Sequence, residues 1–326
     1  MGKHVVTVGI DVGAEELWVA VEGRKPRSFV HSRSGIQSLH RWTSKRARGT
    51  IVHYCLEATG VYSVHAASEL TRQRQAQVSI VNPVIIVAYA RAERKRSKTD
   101  QIDAEVIRRY AAERRLPVWR PEPESLRHLA ALVAQGDAIK RLLLQWNNRE
   151  HAQKYIRDLP TEVRRNQRAT RRHLENALAR IERAIDALCA TDAELAQQTA
   201  LLETIPGIGR RSATRLLAYG GTRWRRYTAN AMTAQAGLAP RHHRSGSSVE
   251  KKQRIDKQGD RRLRKALYMP ALVGSRHNPT LKKLYRRLCD NGKLKKVALT
   301  ACMRKLLLIV RAVLTKKAPF NMAYPH

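Results

Sequence analysis

Apolar and polar positions follow short strand-like blocks through the first third of the chain and recur at helical spacing through most of the rest. VVTVGIDV (residues 5–12), ELWVAVEG (16–23) and the weaker PRSFVHS carry strand signals separated by Gly-containing or polar breaks, which predicts an antiparallel meander. A helical stretch over 34–46, a buried strand in IVHYCLEA (51–58), a helix over 61–74 and a strand in QVSIVNP (77–83) follow. Strands alternating with helices after a meander predict an α/β domain with a mixed sheet. Its last helix begins near Lys98 and runs through DAEVIRRYAAER, and the three prolines of LPVWRPEPE (116–124) close the domain at about residue 122.

From Ser125 to about Leu202 the chain is almost free of Gly and Pro, Gly136 and Pro160 excepted. Leu126, Leu129, Leu132 and Val133 share one face, and Leu174, Leu178, Ile181, Ile185 and Leu188 share another. Two long antiparallel helices turning near Leu159 and Pro160 are predicted. Residues 123–200 then form a spacer or dimerising coiled coil, and an ordinary helical bundle fits the pattern equally well. Residues 201–326 read as a third, mainly helical domain. Its last apolar helix, ALTACMRKLLLIVRAVL, is interrupted by Arg304, Lys305 and Arg311, which favours a core position over a membrane. The fold class is α/β plus α.

Charge narrows the function. The chain has 63 Lys and Arg against 27 Asp and Glu, a formal net charge of +36, and 29 of the basic residues against 5 of the acidic ones fall in residues 201–326. Such an excess points to a polyanion whose phosphates release counterions on contact. No apolar run approaches the length of a bilayer span and the opening residues resemble no secretory signal, so no membrane role is expected. Cys55, Cys189, Cys289 and Cys302 are scattered without zinc-site spacing, which fits a reducing bacterial cytoplasm and a nucleoid-associated protein.

Four acids stand out in so basic a chain. Asp11 and Glu57 lie at the ends of apolar strands, and Asp100 and Asp103 are three apart near a helix start, so they project from one face. Taken singly, each is more often a cap, a turn residue or a surface charge, and Asp100 could favour its own helix N-terminus. Together on one α/β unit they would repel one another unless cations neutralised them, which makes them candidate Mg²⁺ ligands for phosphodiester chemistry.

Two further features lie in the C-terminal third. Pro206-Gly207-Ile208-Gly209 fits a helix-hairpin-helix turn, in which the Gly207 and Gly209 amides with Arg210 and Arg211 would bind a DNA phosphate; a plain helix-helix turn has the same pattern. AGLAPRHHRSGSSVEKKQRIDKQGDRRLRKAL surrounds Ser245, Ser247 and Ser248 with cations, among them Arg241, Arg244, Lys251, Lys252, Arg261 and Arg262 as candidate nucleic-acid contacts. A serine there could be a nucleophile assisted by the cations, or part of a flexible phosphate-contacting turn, and the chemistry alone leaves the choice among the three open.

GIDVG, EATGVY and KTDQIDA, in this order and at these separations, resemble the DEDD-type, RuvC-like domain of the insertion-sequence one-hundred-and-ten family, the bridge-RNA-guided recombinases. GLAP, a basic stretch, SG and GDRRLRKAL resemble the C-terminal transposase domain of the same family. The resemblance implies a ribonuclease-H-like fold for residues 1–122, with Asp11, Glu57, Asp100 and Asp103 as catalytic, Mg²⁺-binding acids and Ser245 as the catalytic serine. Gly13-Ala14 stand where the family often has Ser-Lys. The resemblance further implies cutting and rejoining of double-stranded donor and target DNA through a phosphoserine intermediate. It also implies a structured noncoding guide RNA and a homo-oligomer, a dimer that becomes a tetramer in synapsis. Some 80 helical residues separate the domains of the acids and of Ser245, which leaves open a site shared between protomers, the acids of one with the serine of another. The competing readings are a metal-dependent junction-resolving endonuclease without a covalent intermediate, and a non-enzymatic nucleic-acid-binding protein.

Overall fold

The computed structural model describes residues 5–47, 49–93, 99–241, 244–245, 249–250, 254–256 and 258–321. The chain divides into two compact units, Met1–Pro121 and Glu122–His326.

The first unit is built on a five-stranded sheet. β1 (Val6–Val12), β2 (Glu16–Val21) and β3 (Arg27–Val30) form the antiparallel meander, while β4 (Val52–Glu57) and β5 (Ala76–Val81) add in parallel on the other side of β1, giving the order β3-β2-β1-β4-β5. The two-residue period of the strands sorts their side chains between two cores. Val8, Ile10, Val12, Leu17, Val19, Tyr54 and Leu56 pack with α1 (Arg33–Ala47) and α2 (Val61–Thr71) through Ile36, Leu39, Ala66 and Leu70. On the opposite face Cys55 and Val81 meet α3 (Pro83–Ala92) and α4 (Asp100–Glu113) through Ile86, Val106, Ile107 and Ala111. A mixed sheet with helices on both faces is the ribonuclease-H-like architecture expected for this segment. α3 is not foreseen by the periodicity, because its Val-Ile-Ile-Val run is β-branched. Asn82 accepts a hydrogen bond from the Val84 amide and Pro83 occupies the first helical position, and this cap starts the helix. The expected helix start at Lys98 lies outside the described residues.

The second unit opens with α5 (Glu124–Gln153) and α6 (Thr161–Thr191), an antiparallel pair held by apolar contacts and by ion pairs of Lys140 with Glu182 at 2.8 Å and Arg171 with Glu150 at 3.2 Å. Thirty-one helical residues extend about 46 Å. Only the base of this hairpin enters the core, through Leu126, Leu129, Val133 and Cys189. Asp192 ends α6 and caps α7 (Ala193–Glu203) by accepting from the Leu195 amide, so the helical run predicted to 202 is two helices. α8 (Arg210–Gly220), α9 (Arg223–Arg226), α10 (Ala229–Gln235), α11 (Arg261–His277), α12 (Pro279–Asp290) and α13 (Lys295–Lys316) complete the unit. The apolar C-terminal helix is a core element, with Leu299, Cys302, Leu306, Val310 and Val313 buried. No described helix is long and apolar enough to cross a membrane.

Candidate active site and nucleic-acid interface

The acid site is assembled at one end of β1. Ile10 is in register with Leu56 of parallel β4, so the next residues along the pair, Asp11 and Glu57, stand side by side. Both follow Gly9 and Cys55 in the strand alternation and so belong to the face covered by α4. Gly9 sets how closely α4 approaches. A Cβ at this position would fall 2.1 Å from the Ala104 carbonyl oxygen and 2.3 Å from the Arg108 amide nitrogen, so only glycine lets the helix backbone lie on β1. Two strand residues advance ~6.8 Å from Gly9 to Asp11, and the four helical residues from Ala104 back to Asp100, or the five from Arg108 back to Asp103, cover about 6–7.5 Å. The charges of Asp103 and Asp100 do reach Asp11, which puts the first turn of α4 at this end of the strand.

The electrostatics of Asp11 follow from that arrangement. Burial first, and then the charges of Asp103, Asp100 and Glu57 in that order, against an opposing hydrogen bond from the Val12 backbone, raise its carboxyl from an ordinary 3.8 to about 6. Asp100 does not act as the cap of α4, because Thr99 accepts the Ile102 amide at 3.3 Å. Burial pushes the Glu105 carboxyl, one turn further on, upward, but the bidentate Arg108 at 2.8 and 2.7 Å together with Arg109 outweighs it and holds its pKa below the ordinary value. It is therefore an ion-paired residue set apart from the four acids.

Ser245 sits on a β excursion between α10 and α11. An outer pair, β6 (Pro240–Arg241) with β9 (Arg254–Ile255), and an inner pair, β7 (Arg244–Ser245) with β8 (Val249–Glu250), nest one within the other, with Ser245 in register with Val249. The base of the excursion is tied down by the Asp256 amide donating to the Ala239 carbonyl at 2.8 Å, and by Arg264 donating to the Ala236 carbonyl at 3.0 Å. Asp260 caps α11 by accepting from the Arg262 and Leu263 amides, so the cap fixes where the loop returns. Ser247, Ser248, Lys251 and Lys252 lie outside the described residues.

Two family models match the segments that hold these features. Residues 8–153 match the DEDD transposase model of IS110 elements, and residues 199–286 match the Transposase IS116/IS110/IS902 family. The pilin gene-inverting protein of Moraxella bovis is 34% identical over 319 residues, 96% of this chain and 97% of that protein. The chain belongs to the IS110 family of transposases. The pilin gene-inverting protein of Moraxella lacunata is likewise 35% identical over 296 residues, 90% of each chain. As an IS110-family transposase the protein is a DNA strand-transfer enzyme and DNA is its substrate.

The DEDD match points to dependence on a divalent metal. Among the described residues no three His, Cys, Asp or Glu side chains are gathered closely enough to hold a metal ion as they stand. The donor set nonetheless fits a hard divalent cation. It consists of carboxylate oxygens alone, and the mutual repulsion that raises Asp11 is what a cation would relieve.

The transposase's predicted phosphate contacts are placed unevenly. Gly207 has φ of +102°, and a Cβ there would come within 2.8 to 2.9 Å of the Gly274 backbone and the Pro270 carbonyl of α11, so this glycine serves a packing contact as well as a turn. Gly209 is the N-cap of α8 and faces open space. Arg210 donates to Asp186 at 3.0 Å and Arg211 to Glu182 at 2.8 Å, so both hairpin arginines are engaged by acids of α6 and must leave them to reach DNA. Arg262 stacks over the Tyr219 ring at 5.3 Å beside Asp260, whereas Arg261 is exposed on the first turn of α11; Arg241 and Arg244 are the strand partners of Arg254 and Glu250. A basic face that the motifs did not single out lies on α12, where Lys282, Lys283, Arg286 and Arg287 form two i,i+4 rows. Its signal was in the sequence, as the alternation of LKKLYRRLC.

Proposed function

We propose that the protein cuts and rejoins DNA through a phosphoserine link made by Ser245, with Mg²⁺ held by Asp11, Glu57, Asp100 and Asp103, under the direction of a structured noncoding RNA. The observation that carries the metal reading is the convergence of three carboxylate charges on Asp11 from two other elements, an arrangement unfavourable without a cation. The serine and the RNA are supported by the family resemblance of the SG-containing loop and of the chain as a whole.

In the first step the Ser245 hydroxyl oxygen forms a bond to a DNA phosphorus, and the bond from that phosphorus to one deoxyribose oxygen breaks. The serine proton is released and the departing sugar oxygen takes one up. In the second step the hydroxyl end of the partner strand attacks the phosphoserine, which restores the DNA phosphodiester and the serine hydroxyl. One phosphoester bond replaces another at each step, so no external energy source is required. The four carboxylates would hold a divalent cation, which would supply polarisation of a phosphate oxygen and stabilisation of developing charge. Arg261 and the α12 cations bind backbone phosphates and position the duplex without reading its sequence. The acids and the serine belong to different units, and a site completed by a second protomer is part of this reading.

The test is a denaturing gel of protein incubated with end-labelled DNA carrying the recombination site. The wild type is expected to form a covalent protein-DNA adduct that Ser245→Ala lacks, and Asp11→Asn to form little of it. Cleavage without any adduct identifies a hydrolytic endonuclease instead, and full activity of Asp100→Asn would remove the acids from the chemistry. Loss of activity after ribonuclease treatment, restored by RNA from the flanking DNA, is expected if RNA directs the reaction.

A further inference from the structure

The charge of the α5–α6 hairpin is polarised along its length. Residues 140–172, the distal half, hold ten Lys and Arg against three Asp and Glu, whereas the stretches 124–139 and 173–191 at the base hold three against five. Within the distal half several cations are neutralised locally, Arg165 by Glu162 at 2.8 Å and Arg171 by Glu150 and Glu175 at 3.2 and 3.7 Å. Arg164, Arg168 and Arg172 are exposed and have no acidic partner among the described residues. They stand at i, i+4 and i+8 on α6, one turn apart, and line one side of a shallow open groove with Thr161, Arg165 and Ala169.

This row is costly to the free protein in two ways. Like charges at i,i+4 oppose helix formation by about 0.2–0.5 kcal/mol per pair, and cations in the first turns of a helix are disfavoured by the macrodipole. A bound polyanion reverses both effects. The row rises 6 Å per turn, about 12 Å from Arg164 to Arg172. Successive phosphates of one DNA strand advance ~3.4 Å along the duplex axis, so this length spans three or four of them. A second copy that presented the same row would set like charges against one another and is the poorer occupant of this face.

We propose that the distal third of α6 is a docking surface for the phosphate backbone of double-stranded DNA, read through Arg164, Arg168 and Arg172, and lying about 30 Å along the helix from the core that carries the serine excursion. The hairpin is then an arm that holds duplex at a distance from the reacting phosphates. The proposal rests on DNA being the substrate and is independent of the serine and of the metal.

The experiment is the salt dependence of equilibrium binding of the full-length protein to a duplex DNA containing its recombination site, in EDTA so that no strand is cut. Each phosphate contact contributes ~0.9 to the slope of log affinity against log salt. Changing Arg164, Arg168 and Arg172 together to Gln is expected to lower that slope by about 2.7, so that between 50 and 200 mM salt the wild type loses about 40-fold more affinity than the variant. Arg180→Gln with Arg183→Gln, two exposed arginines at the base of the same helix, is expected to leave the slope within about 0.5 of the wild type. Circular dichroism and melting temperature check that both variants fold. An unchanged slope in the triple variant overturns the proposal, as does an equal loss in the base variant. So does a loss seen only with duplex RNA, or a triple variant whose sole change is in its sedimentation as an oligomer.

Discussion

Replacing Asp11 with Asn removes a charge that the fold holds against its own repulsion, and the resulting change in stability can be worked out from the site. A carboxyl that titrates near 6 when folded and 3.8 when unfolded destabilises the folded state by up to about 3 kcal/mol once it is ionised. Asp11 is partly open to water, and screening reduces this to roughly 1–2 kcal/mol. The raised pKa sets the sign. Below about pH 3.8 the acid is protonated in both states and costs nothing; as pH rises from there through 6, the folded state keeps a proton the unfolded state has lost, and stability declines. Asn is indifferent to pH. Asp11→Asn is therefore expected to be more stable than the wild type at pH 7.5 in EDTA, by about 4–8 °C in melting temperature for a unit of this size, with about half the gap remaining at pH 5.0. Thermal denaturation measures the gap, and hydrogen exchange of the β1 and β4 amides assigns it to this unit. Mg²⁺ is expected to raise the wild type more than the variant. A variant that melts at or below the wild-type temperature at pH 7.5 would refute the reading of Asp11 as a strained member of a charged cluster.

Gly9→Ala places a methyl group 2.1 Å from the Ala104 carbonyl, so α4 must shift away from β1; a loss of about 1–3 kcal/mol in denaturant unfolding is expected, together with a recombination defect, and wild-type stability would show that the helix does not lie on the strand. Glu182→Gln combined with Asp186→Asn frees Arg211 and Arg210, and duplex DNA affinity is expected to rise with a steeper salt slope, by up to about 1.8 for two new phosphate contacts; unchanged binding in a salt titration would mean that these arginines do not face DNA.

Some of the site was legible in local pattern and some was not. Asp11 and Glu57 could be placed at strand ends because apolar runs and the glycines after them mark where a strand leaves the core. That they are side by side depends on β4 pairing with β1 in parallel, across a connection that local periodicity does not specify. α3 escaped notice because a β-branched run favours strand by propensity, and the Asn82 cap with Pro83 outweighed it. Arg210 and Arg211 read naturally as free phosphate ligands beside a glycine turn. Their engagement by Glu182 and Asp186 arises because the fold brings the start of α8 beside α6, with α7 between them in the chain.

The sequence by itself determined the class of partner, the alternation of α/β and helical segments, and the motifs that assign the chain to its family, since each of these is written in composition or in spacing within a few tens of residues. Tertiary structure decided which charges act on one another. Coulomb interactions depend on separation in space, and the approach of α4 to Gly9 brings Asp100 and Asp103 to bear on Asp11, where they add to the rise that burial causes. The same holds for the arginines: packing decides which of them are neutralised by acids and which, like Arg164, Arg168 and Arg172, remain available to DNA.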